Sequence, residues 1–289
     1  MRSGITMTSP ERHQKGARPK AKRNASHPLP SKKDEADKIQ RSASNSAPFK
    51  EEEAGVGYIA PRARKRKIEK LKWNGHSLLV FPEVYFPHED SFLLAEAAEK
   101  HASGKVLDLG CGTGIAGIFA SKNPEVTEIV FADISKKALE NAKLNFEQNR
   151  KDETMLPTKL NPQNNQLQMN KIKISFIQTD LFPNLKKLKF GTILFNPPYL
   201  PTSKEEKLKG GINRAFDGGK DGRKVIDNFL LQFSSHLTAN GSLLYLNSSL
   251  TNTEKTLSFL SKHGFSIQTL SSQRFFFEEL SVLMVKRKA

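Results

Sequence analysis

The chain has 289 residues and a formal net charge of +16, from 46 Lys and Arg against 30 Asp and Glu. Its single cysteine excludes a disulfide framework and a cysteine-based zinc site within the chain, and no metal site is predicted. Because no apolar run approaches the roughly 18 residues of a membrane helix, we expect a protein of the cytoplasm, and also of the nucleus if the cell has one, without a membrane partner.

Residues 1–72 differ in composition from the rest of the chain. They hold 19 Lys and Arg against 8 Asp and Glu, with Pro, Ser and Ala in place of periodic Leu, Ile and Val. Such a segment buries too little apolar area to offset its ordering entropy, so we predict a disordered basic arm. The basic run at residues 62–67 fits contact with RNA or the ribosome, and it equally fits a solvated charge run.

Residues 73–289 are long enough for one α/β domain with a single core. Apolar runs predict strands at residues 76–81, 105–109, 128–133, 172–179, 192–195 and 241–246. Helical periodicity predicts helices at 89–100, from the glycine turn after residue 109 to about Asn123, and at 136–149, 223–237 and 253–263. The last two runs, at 265–270 and 275–285, are close enough for an antiparallel pair.

The alternation of strands and helices predicts a doubly wound, mostly parallel α/β sheet with an antiparallel edge at its end. The polar stretch at residues 150–170 predicts a surface insertion rather than a further element. Glu89 and Asp90 are predicted as helix-start charges.

A glycine-rich turn joins the strand at residues 105–109 to the next helix. Its sequence is Asp108-Leu-Gly110-Cys-Gly112-Thr-Gly114. Glycines at such a turn allow positive φ angles and a close approach of the backbone to a ligand. The spacing of Gly112, Gly114 and Gly117 also matches the G-x-G-x-x-G pattern of a dinucleotide site.

Asp133 lies 19 residues past Gly114, which suits the acid that holds a ribose in a dinucleotide site. Spacing alone therefore leaves both interpretations open. Asp108 favours an amino group over a pyrophosphate, because a carboxylate repels a phosphate and pairs with an ammonium group. Asp133 can also be a helix cap, and Asp180 can simply cap a turn after the strand at 172–179.

The Asp-Leu-Gly-Cys-Gly-Thr-Gly string resembles the S-adenosylmethionine motif of class I methyltransferases. The resemblance implies S-adenosylmethionine as cofactor and a Rossmann-like, seven-stranded sheet with an antiparallel last strand. It implies cofactor contacts from Asp108, Gly110, Gly112, Gly114, Asp133, Asp180, Leu181 and Asn196. The glycine backbone would follow the amino acid and ribose, Asp133 would bind the ribose hydroxyls, and Asp180 with Leu181 would flank the adenine.

Asn196-Pro197-Pro198-Tyr199 ends the apolar run at residues 190–195. A buried strand there puts the tetrapeptide at the carboxyl edge of the sheet, where ligands bind in α/β folds. The Asn196 side-chain oxygen and the Pro197 carbonyl can each accept one N–H of a planar NH2 group, whose lone pair is otherwise delocalised.

Consecutive prolines fix the direction of the Pro197 carbonyl, and Tyr199 can stack on a flat amide or base. We therefore predict nitrogen methylation, with Asn196, Pro197 and Tyr199 as catalytic residues and Asn196 to Tyr199, including Pro198, as the substrate site. The plain alternative is a chain break after a strand, followed by a packed tyrosine.

Residues 84–94 and 215–223 resemble the HemK group of glutamine N5-methyltransferases, and the first stretch is most like its short eukaryotic and archaeal branch. The resemblance covers about residues 78–286. It implies as substrate the glutamine of the Gly-Gly-Gln motif in a class I translation release factor. It also implies a small zinc-binding activator subunit, along the strand near residues 129–131.

In the same resemblance, the loop at Gly218 and Gly219 would let a substrate backbone approach. Asp217, Asp221 or Arg223 would orient that backbone, unless the segment is only a surface loop before a helix.

Two rival functions remain. Enzymes that methylate an exocyclic amine in RNA or DNA, such as adenine N6 or guanine N2, share the Asn-Pro-Pro-Tyr motif. The basic arm favours this rival, and the lack of a second predicted recognition domain disfavours it. The other rival is a non-catalytic cofactor-binding scaffold, against which Asp108, Asp133 and Asn196 argue.

Overall fold

The computed structural model describes residues 67–151, 172–200 and 218–288 of the chain. The predicted arm up to residue 66 and the predicted insertion from residue 152 onward lie outside the described residues. Within those described ranges, no helix is long and apolar enough to cross a membrane.

An antiparallel hairpin of β1 (Glu69–Trp73) and β2 (His76–Val80) opens the described chain. Asn74 and Gly75 join the strands with φ angles of 47° and 77°, the left-handed backbone of a tight hairpin turn. The predicted end of the arm at residue 72 is therefore wrong by a few residues. Charged residues in β1 make this strand hard to recognise from sequence, although its apolar residues alternate with them. Trp73 at its end stacks on Phe92, with ring centroids 4.5 Å apart.

Seven further strands form one sheet in the order β5-β4-β3-β6-β7-β9-β8. They are β3 (Gly104–Leu109), β4 (Val126–Asp133), β5 (Lys173–Gln178), β6 (Phe190–Phe195), β7 (Leu237–Ser248), β8 (Phe265–Arg274) and β9 (Glu279–Arg287). All neighbours are parallel except β9, which is antiparallel to both β7 and β8. The predicted mostly parallel, seven-stranded sheet with an antiparallel last strand is confirmed.

The antiparallel strand does not lie at the edge, where the sequence predicted it. β9 lies between β7 and β8, and β8 forms the edge. The burial of the two strands explains this order, because the apolar run of β9 is almost wholly buried, whereas β8 has one buried residue, Phe265, and is otherwise exposed or half-buried. The more apolar strand takes the inner position.

In the described ranges of the chain, five α-helices cover the sheet. They are α1 (Glu89–His101), α2 (Ile115–Ala120), α3 (Lys136–Lys151), α4 (Lys224–Leu230) and α5 (Thr253–Lys262). The hairpin, α1, α2 and α3 pack on one face, and α4 and α5 pack on the other. Adjacent residues of β3 divide between the two cores, with Val106 in the first and Leu107 in the second.

The helix predicted at residues 223–237 is shorter than expected. α4 ends at Leu230, a 3-10 turn spans Phe233–His236, and β7 already begins at Leu237. Phe229, Phe233 and Leu237 keep a helical spacing of four residues and are all buried. The periodicity therefore identified the buried residues correctly but not the change of backbone between them.

The strand near residues 129–131, where the resemblance implied an activator, is not open to a partner. Ile129, Val130 and Phe131 are fully buried, and β4 pairs with β3 on one side and β5 on the other. That implied location is wrong. In the described chain, β5 is the edge strand of this half of the sheet.

A row of buried asparagines on α3 fixes the hairpin to that helix. Asn141, Asn145 and Asn149 lie one helical turn apart and are at most 2% exposed. The Asn145 amide accepts from the Leu79 N–H at 2.8 Å and donates to the Leu79 carbonyl at 2.8 Å. The Asn141 amide oxygen accepts from the N–H of Phe81 at 2.9 Å. β2 pairs with β1 along one edge, and these side chains bond the backbone groups of its other edge. They also position the segment that follows β2.

Candidate active site

A cavity of about 450 Å³ opens at the carboxyl ends of β3, β4 and β6. This is the sheet edge at which ligands bind in doubly wound folds. The predicted site residues that line it are Asp108, Gly110, Gly112, Asp133, Asp180, Leu181, Asn196, Pro197, Pro198 and Tyr199. Two distant parts of the sequence, the glycine turn and the Asn-Pro-Pro-Tyr segment, therefore share one cavity.

Asp108, at the end of β3, is the most deeply buried acid of the glycine turn. It is 4% exposed, and its Oδ2 accepts a hydrogen bond from the Gly117 N–H at 2.9 Å. Burial raises the pKa of the Asp108 carboxyl to about 7, although the Gly117 hydrogen bond lowers it and the charge of Asp133 adds to the rise. Burial therefore favours the protonated form of the Asp108 carboxyl in the cavity wall.

Asp133, at the end of β4, uses both carboxylate oxygens to shape the turn. Its Oδ2 accepts from the Gly112 N–H at 3.1 Å, and its Oδ1 accepts from the Ser135 N–H at 2.8 Å. Burial raises the pKa of Asp133, and its hydrogen bonds with the backbone lower it. Asp133 is not the cap of α3, because the Ser135 hydroxyl accepts from the Ala138 N–H at 3.3 Å, whereas Asp133 closes the turn before the helix and lines the cavity.

Two glycines that match the dinucleotide pattern serve packing. Gly114 does not line the cavity; its φ angle is +82°, and a Cβ there would lie 2.9 Å from the Ala142 Cβ. A Cβ on Gly117 would overlap the Phe131 ring. The Gly117 N–H, in the first turn of α2, donates to Asp108, so a carboxylate occupies the place where a dinucleotide site would hold a pyrophosphate. In the described chain, the Gly117 N–H is thus engaged by Asp108 and is not open to a phosphate.

Asp180 and Leu181 lie beyond the end of β5, on another side of the cavity. Asp180 is exposed and Leu181 is half-buried. Leu181 has a φ angle of +59°, a left-handed conformation that a branched, non-glycine residue adopts only at some cost. Such strained backbone concentrates at functional sites, which fits the place of Leu181 in the cavity wall.

Asn196 presents an unused hydrogen-bond acceptor. Its Nδ2 donates to the Asp90 Oδ2 at 2.9 Å. Its Oδ1 is buried and has no hydrogen-bond partner in the described chain. Buried polar atoms without a partner are rare in native proteins, and each requires an explanation.

Asp90 is a site residue that the sequence analysis missed. It is 3% exposed, and its Oδ1 accepts from the N–H and the hydroxyl of Ser91, at 2.6 and 3.1 Å. Its Oδ2 accepts from the Tyr85 hydroxyl at 3.0 Å as well as from Asn196. A signal was available, because Asp90 lies four residues before Leu94 on the buried face of α1, where a helix-start charge does not belong.

Two tyrosines in the same wall remain neutral. Burial and the nearby charge of Asp90 raise the pKa of both Tyr85 and Tyr199 well above the ordinary value. Each phenol therefore stays a hydrogen-bond donor across the pH range in which proteins function. Tyr199 is half-buried, with its ring in the cavity wall beside the prolines.

The loop before α4 differs from what the resemblance implied. Arg223 is 3% exposed, pairs with Asp227 at 2.6 Å and donates to Thr256 Oγ1 at 3.0 Å. It joins α4 to α5 and does not line the cavity, so it is not a substrate ligand. Asp221 accepts from the Arg223 N–H at 3.1 Å, and Asp217 lies outside the described residues.

Cys111 is buried in the glycine turn, and burial raises the pKa of its thiol. A buried thiol that stays protonated is a packing residue rather than a nucleophile. Among the residues that the structure describes, no cluster of three His, Cys, Asp or Glu side chains could hold a metal ion.

Comparisons with known proteins find methyltransferases. The family model "Methyltransferase small domain" matches residues 88–165. A Methanocaldococcus jannaschii protein named as a protein N5-glutamine methyltransferase is 38% identical over 72% of this chain and 94% of its own length. The eRF1 methyltransferase catalytic subunit mtq2 of Schizosaccharomyces pombe is 28% identical over 72% of this chain and 90% of its own length.

Among solved structures, a tRNA m1G37 methyltransferase of M. jannaschii shares the fold. Its TM-score is 0.50 at 19% identity, over 79% of this chain and 59% of that one. At this identity the likeness concerns the fold alone.

Proposed function

The chain belongs to the eukaryotic and archaeal branch of the HemK-type protein N5-glutamine methyltransferases, and we propose that it methylates the side-chain amide of the Gly-Gly-Gln glutamine in a class I translation release factor. The name of the mtq2 relative, an eRF1 methyltransferase, supports this choice of substrate. The carboxylates of Asp108 and Asp133, the glycine turn and the Asn196 amide line one cavity, and this arrangement supports methyl transfer as the reaction.

The observation that carries the proposal is the buried, unpartnered Oδ1 of Asn196. An ionised carboxylate accepts hydrogen bonds but does not donate them. Asp90 therefore bonds the NH2 side of the Asn196 amide and leaves the oxygen for another molecule. A ligand that brings an N–H donor would satisfy this acceptor, and a primary amide is such a ligand.

Localising a nitrogen lone pair is the chemical task of this site. In a glutamine side chain, the lone pair is delocalised into the carbonyl, which makes the nitrogen a poor nucleophile. Asn196 Oδ1 and the Pro197 carbonyl would each accept one N–H and draw the lone pair out of conjugation. Pro198 would hold the Pro197 carbonyl in place, and Tyr199 would stack on the flat amide.

The remaining walls suit S-adenosylmethionine. The cavity volume of about 450 Å³ lies within the usual range for small-molecule sites. Asp108 would hold the cofactor's ammonium group through the oxygen that Gly117 does not occupy, Asp133 would take the ribose hydroxyls, and Asp180 with Leu181 would flank the adenine. Gly110 and Gly112 would lie along the cofactor, whereas Gly114 would act through packing alone.

When bound, this cofactor would supply a methyl group on a sulfonium: the methyl C–S bond would break as the N–C bond forms, the thioether adenosylhomocysteine would be the leaving group, and the nitrogen would lose one proton to solvent.

A small zinc-binding activator remains part of the proposal. The S. pombe relative is named as a catalytic subunit, which fits an enzyme that acts with a second chain. β5 offers a suitable surface, because its outer edge is unpaired in the described chain and its Ile174 and Phe176 are only half-buried. We assign the activator to this edge in place of the buried β4.

Transfer of a labelled methyl group tests the proposed function. The purified enzyme, with a co-expressed activator if one is needed, is incubated with labelled S-adenosylmethionine and a release factor, or with the same factor whose Gly-Gly-Gln glutamine is replaced by Asn. We expect label on the first factor and none on the second. Equal label on both factors would exclude this glutamine, and label on added RNA instead would favour the nucleic-acid rival.

A further inference from the structure

Two phenylalanines protrude from the turn between β8 and β9. Phe276 is 91% exposed and Phe277 is 84% exposed, more than any other large apolar side chain in the described ranges. Their rings contact each other edge to face, with centroids 4.5 Å apart. Exposed apolar area of this kind has no stabilising role within a monomer and often marks an interaction site.

The turn lies beside the candidate active site. β8 runs parallel to β6 and β7, so its last residue reaches the carboxyl edge of the sheet, where the cavity opens. Glu278, next to the two rings, accepts a hydrogen bond from the Ser248 hydroxyl at the end of β7. The charge of Glu278 also acts on the Tyr199 hydroxyl, which lines the cavity. The rings therefore stand near the cavity mouth.

The backbone of the turn is held in place. The Phe275 N–H donates to the Glu278 carbonyl at 2.6 Å, and the Glu279 N–H donates to Ser249 Oγ at 2.9 Å. Arg274 and Glu279 form an ion pair at 2.8 Å across the base of the turn. A turn tied on both sides presents its two rings without the ordering entropy that a flexible loop would lose on binding.

The neighbouring charges indicate the kind of partner. Glu278 and Glu279 follow the rings directly, and the only nearby cation in this turn, Arg274, is already paired with Glu279. Acidic neighbours repel the phosphates of RNA and of an anionic membrane. They suit a protein surface in which an apolar patch is bordered by basic residues.

We propose that Phe276 and Phe277 dock the protein substrate, by inserting into an apolar patch on its surface that lies outside the loop carrying the target glutamine. This contact rests on the proposed function and names a second point of recognition for the same substrate. Buried aromatic side chains dominate the binding energy of many protein interfaces, so two rings suffice for a strong contribution. The cavity would select the glutamine and the turn would select the protein that carries it.

The double variant Phe276→Ser with Phe277→Ser tests the contact in the full-length enzyme. Kinetics with the whole release factor should show a KM raised about tenfold or more at an unchanged kcat. The dissociation constant of adenosylhomocysteine and the melting temperature should not change, because neither ring lines the cavity or the core. Leu231→Ser is the matched control: Leu231 is 69% exposed and follows α4, close to the amino end of β7, and its loss should alter none of these values.

A KM within twofold of wild type would overturn the contact. Loss of RNA or vesicle binding in the double variant, with KM unchanged, would equally overturn it and assign the rings to another partner. Wild-type enzyme that transfers no methyl group to the release factor would refute the proposed function and the contact with it. Transfer by wild type with an unaffected double variant would refute the contact alone.

Discussion

The side-chain oxygen of Asn196 is the atom on which the proposed chemistry depends. Asn196→Ala removes the acceptor but leaves the glycine turn, Asp108 and Asp133 in place. We therefore expect transfer to slow by a factor of order 100 or more, as it does when a transition-state partner is removed. Adenosylhomocysteine binding, followed by calorimetry, should change little. A variant that lost affinity and rate in parallel would contradict the assignment of Asn196 to the target amide.

Asp90 determines which way the Asn196 amide points. In Asp90→Asn, the new amide can donate as well as accept, so Asn196 is free to turn its NH2 group toward the substrate. We expect kcat to fall by roughly 10-fold to 100-fold, with less effect on the adenosylhomocysteine dissociation constant. Glu89→Gln is the matched control, since Glu89 is exposed in the same helical turn. If both variants lost the same activity, the general charge of this turn would matter rather than the orientation of Asn196.

The raised pKa of Asp108 links cofactor binding to pH. An unfolded chain releases this proton near the ordinary pKa of 3.8, whereas the folded protein keeps it until about pH 7. Between these values the folded state binds more protons, so the free energy of unfolding contributed by Asp108 falls as pH rises and levels off above about pH 7. An ammonium group, in contrast, requires the ionised carboxylate.

Affinity for adenosylhomocysteine should therefore rise roughly tenfold between about pH 6 and pH 7.5. Asp108→Asn should abolish this rise and weaken binding at the higher pH, while the ligand-free variant melts at a higher temperature than wild type there. Calorimetry and thermal melts at the two pH values measure both effects. The same pH dependence of binding in wild type and variant would show that another group is responsible.

At the scale of elements, the asparagine row of α3 connects the hairpin to the cavity. The Asn145 Nδ2 donates to the Thr113 carbonyl of the glycine turn at 3.0 Å as well as to β2. Asn145→Leu leaves the Leu79 N–H and the Thr113 carbonyl without their side-chain partner, although the Leu79 carbonyl keeps its bond from Asn141, at a cost of about 2–4 kcal/mol in the free energy of unfolding. Because the glycine turn loosens with it, adenosylhomocysteine affinity should also fall.

Urea denaturation and calorimetry check this expectation, with Gln148→Leu as the control. Gln148 lies on the exposed face of the same helix, so its replacement should change neither stability nor affinity appreciably. A stable Asn145→Leu variant would mean that the apolar contacts of α3 hold the hairpin without the asparagines.

The elements also explain why sequence patterns predicted the sheet well and the site only partly. Core strands are short apolar runs with glycine or proline at their ends, and β3, β4 and β6 were found within two residues of their bounds. β1 escaped notice because three of its five residues are charged, and its pairing with β2 is visible only in space. Local patterns record which residues are buried, and not which partner buries them.

The same reason applies to the site. The glycine turn and the Asn-Pro-Pro-Tyr segment each carry a local signature, so both were predicted. Asp90 and Asn145 act through partners 106 and 66 residues away in the chain, Asn196 and Leu79. An acid or an amide on the buried face of a helix is the only local sign of such a role.

At the scale of the whole molecule, positive charge is concentrated before the folded domain. Five of the six residues at 62–67 are Lys or Arg. We propose that this run contacts RNA, as it would on a ribosome-associated substrate, and that it has no part in catalysis. Each phosphate contact with single-stranded RNA contributes about −0.7 to the slope of log affinity against log salt concentration.

Replacing the five cations by Gln should therefore reduce the magnitude of that slope by about 3 to 4. Binding to a labelled single-stranded RNA at several salt concentrations measures it, and kcat on the release factor should stay within twofold of wild type. If the salt dependence of RNA affinity did not change, the basic run would be a solvated charge segment that does not contact RNA. A large loss of kcat at unchanged RNA affinity would instead mean that the run contacts the protein substrate.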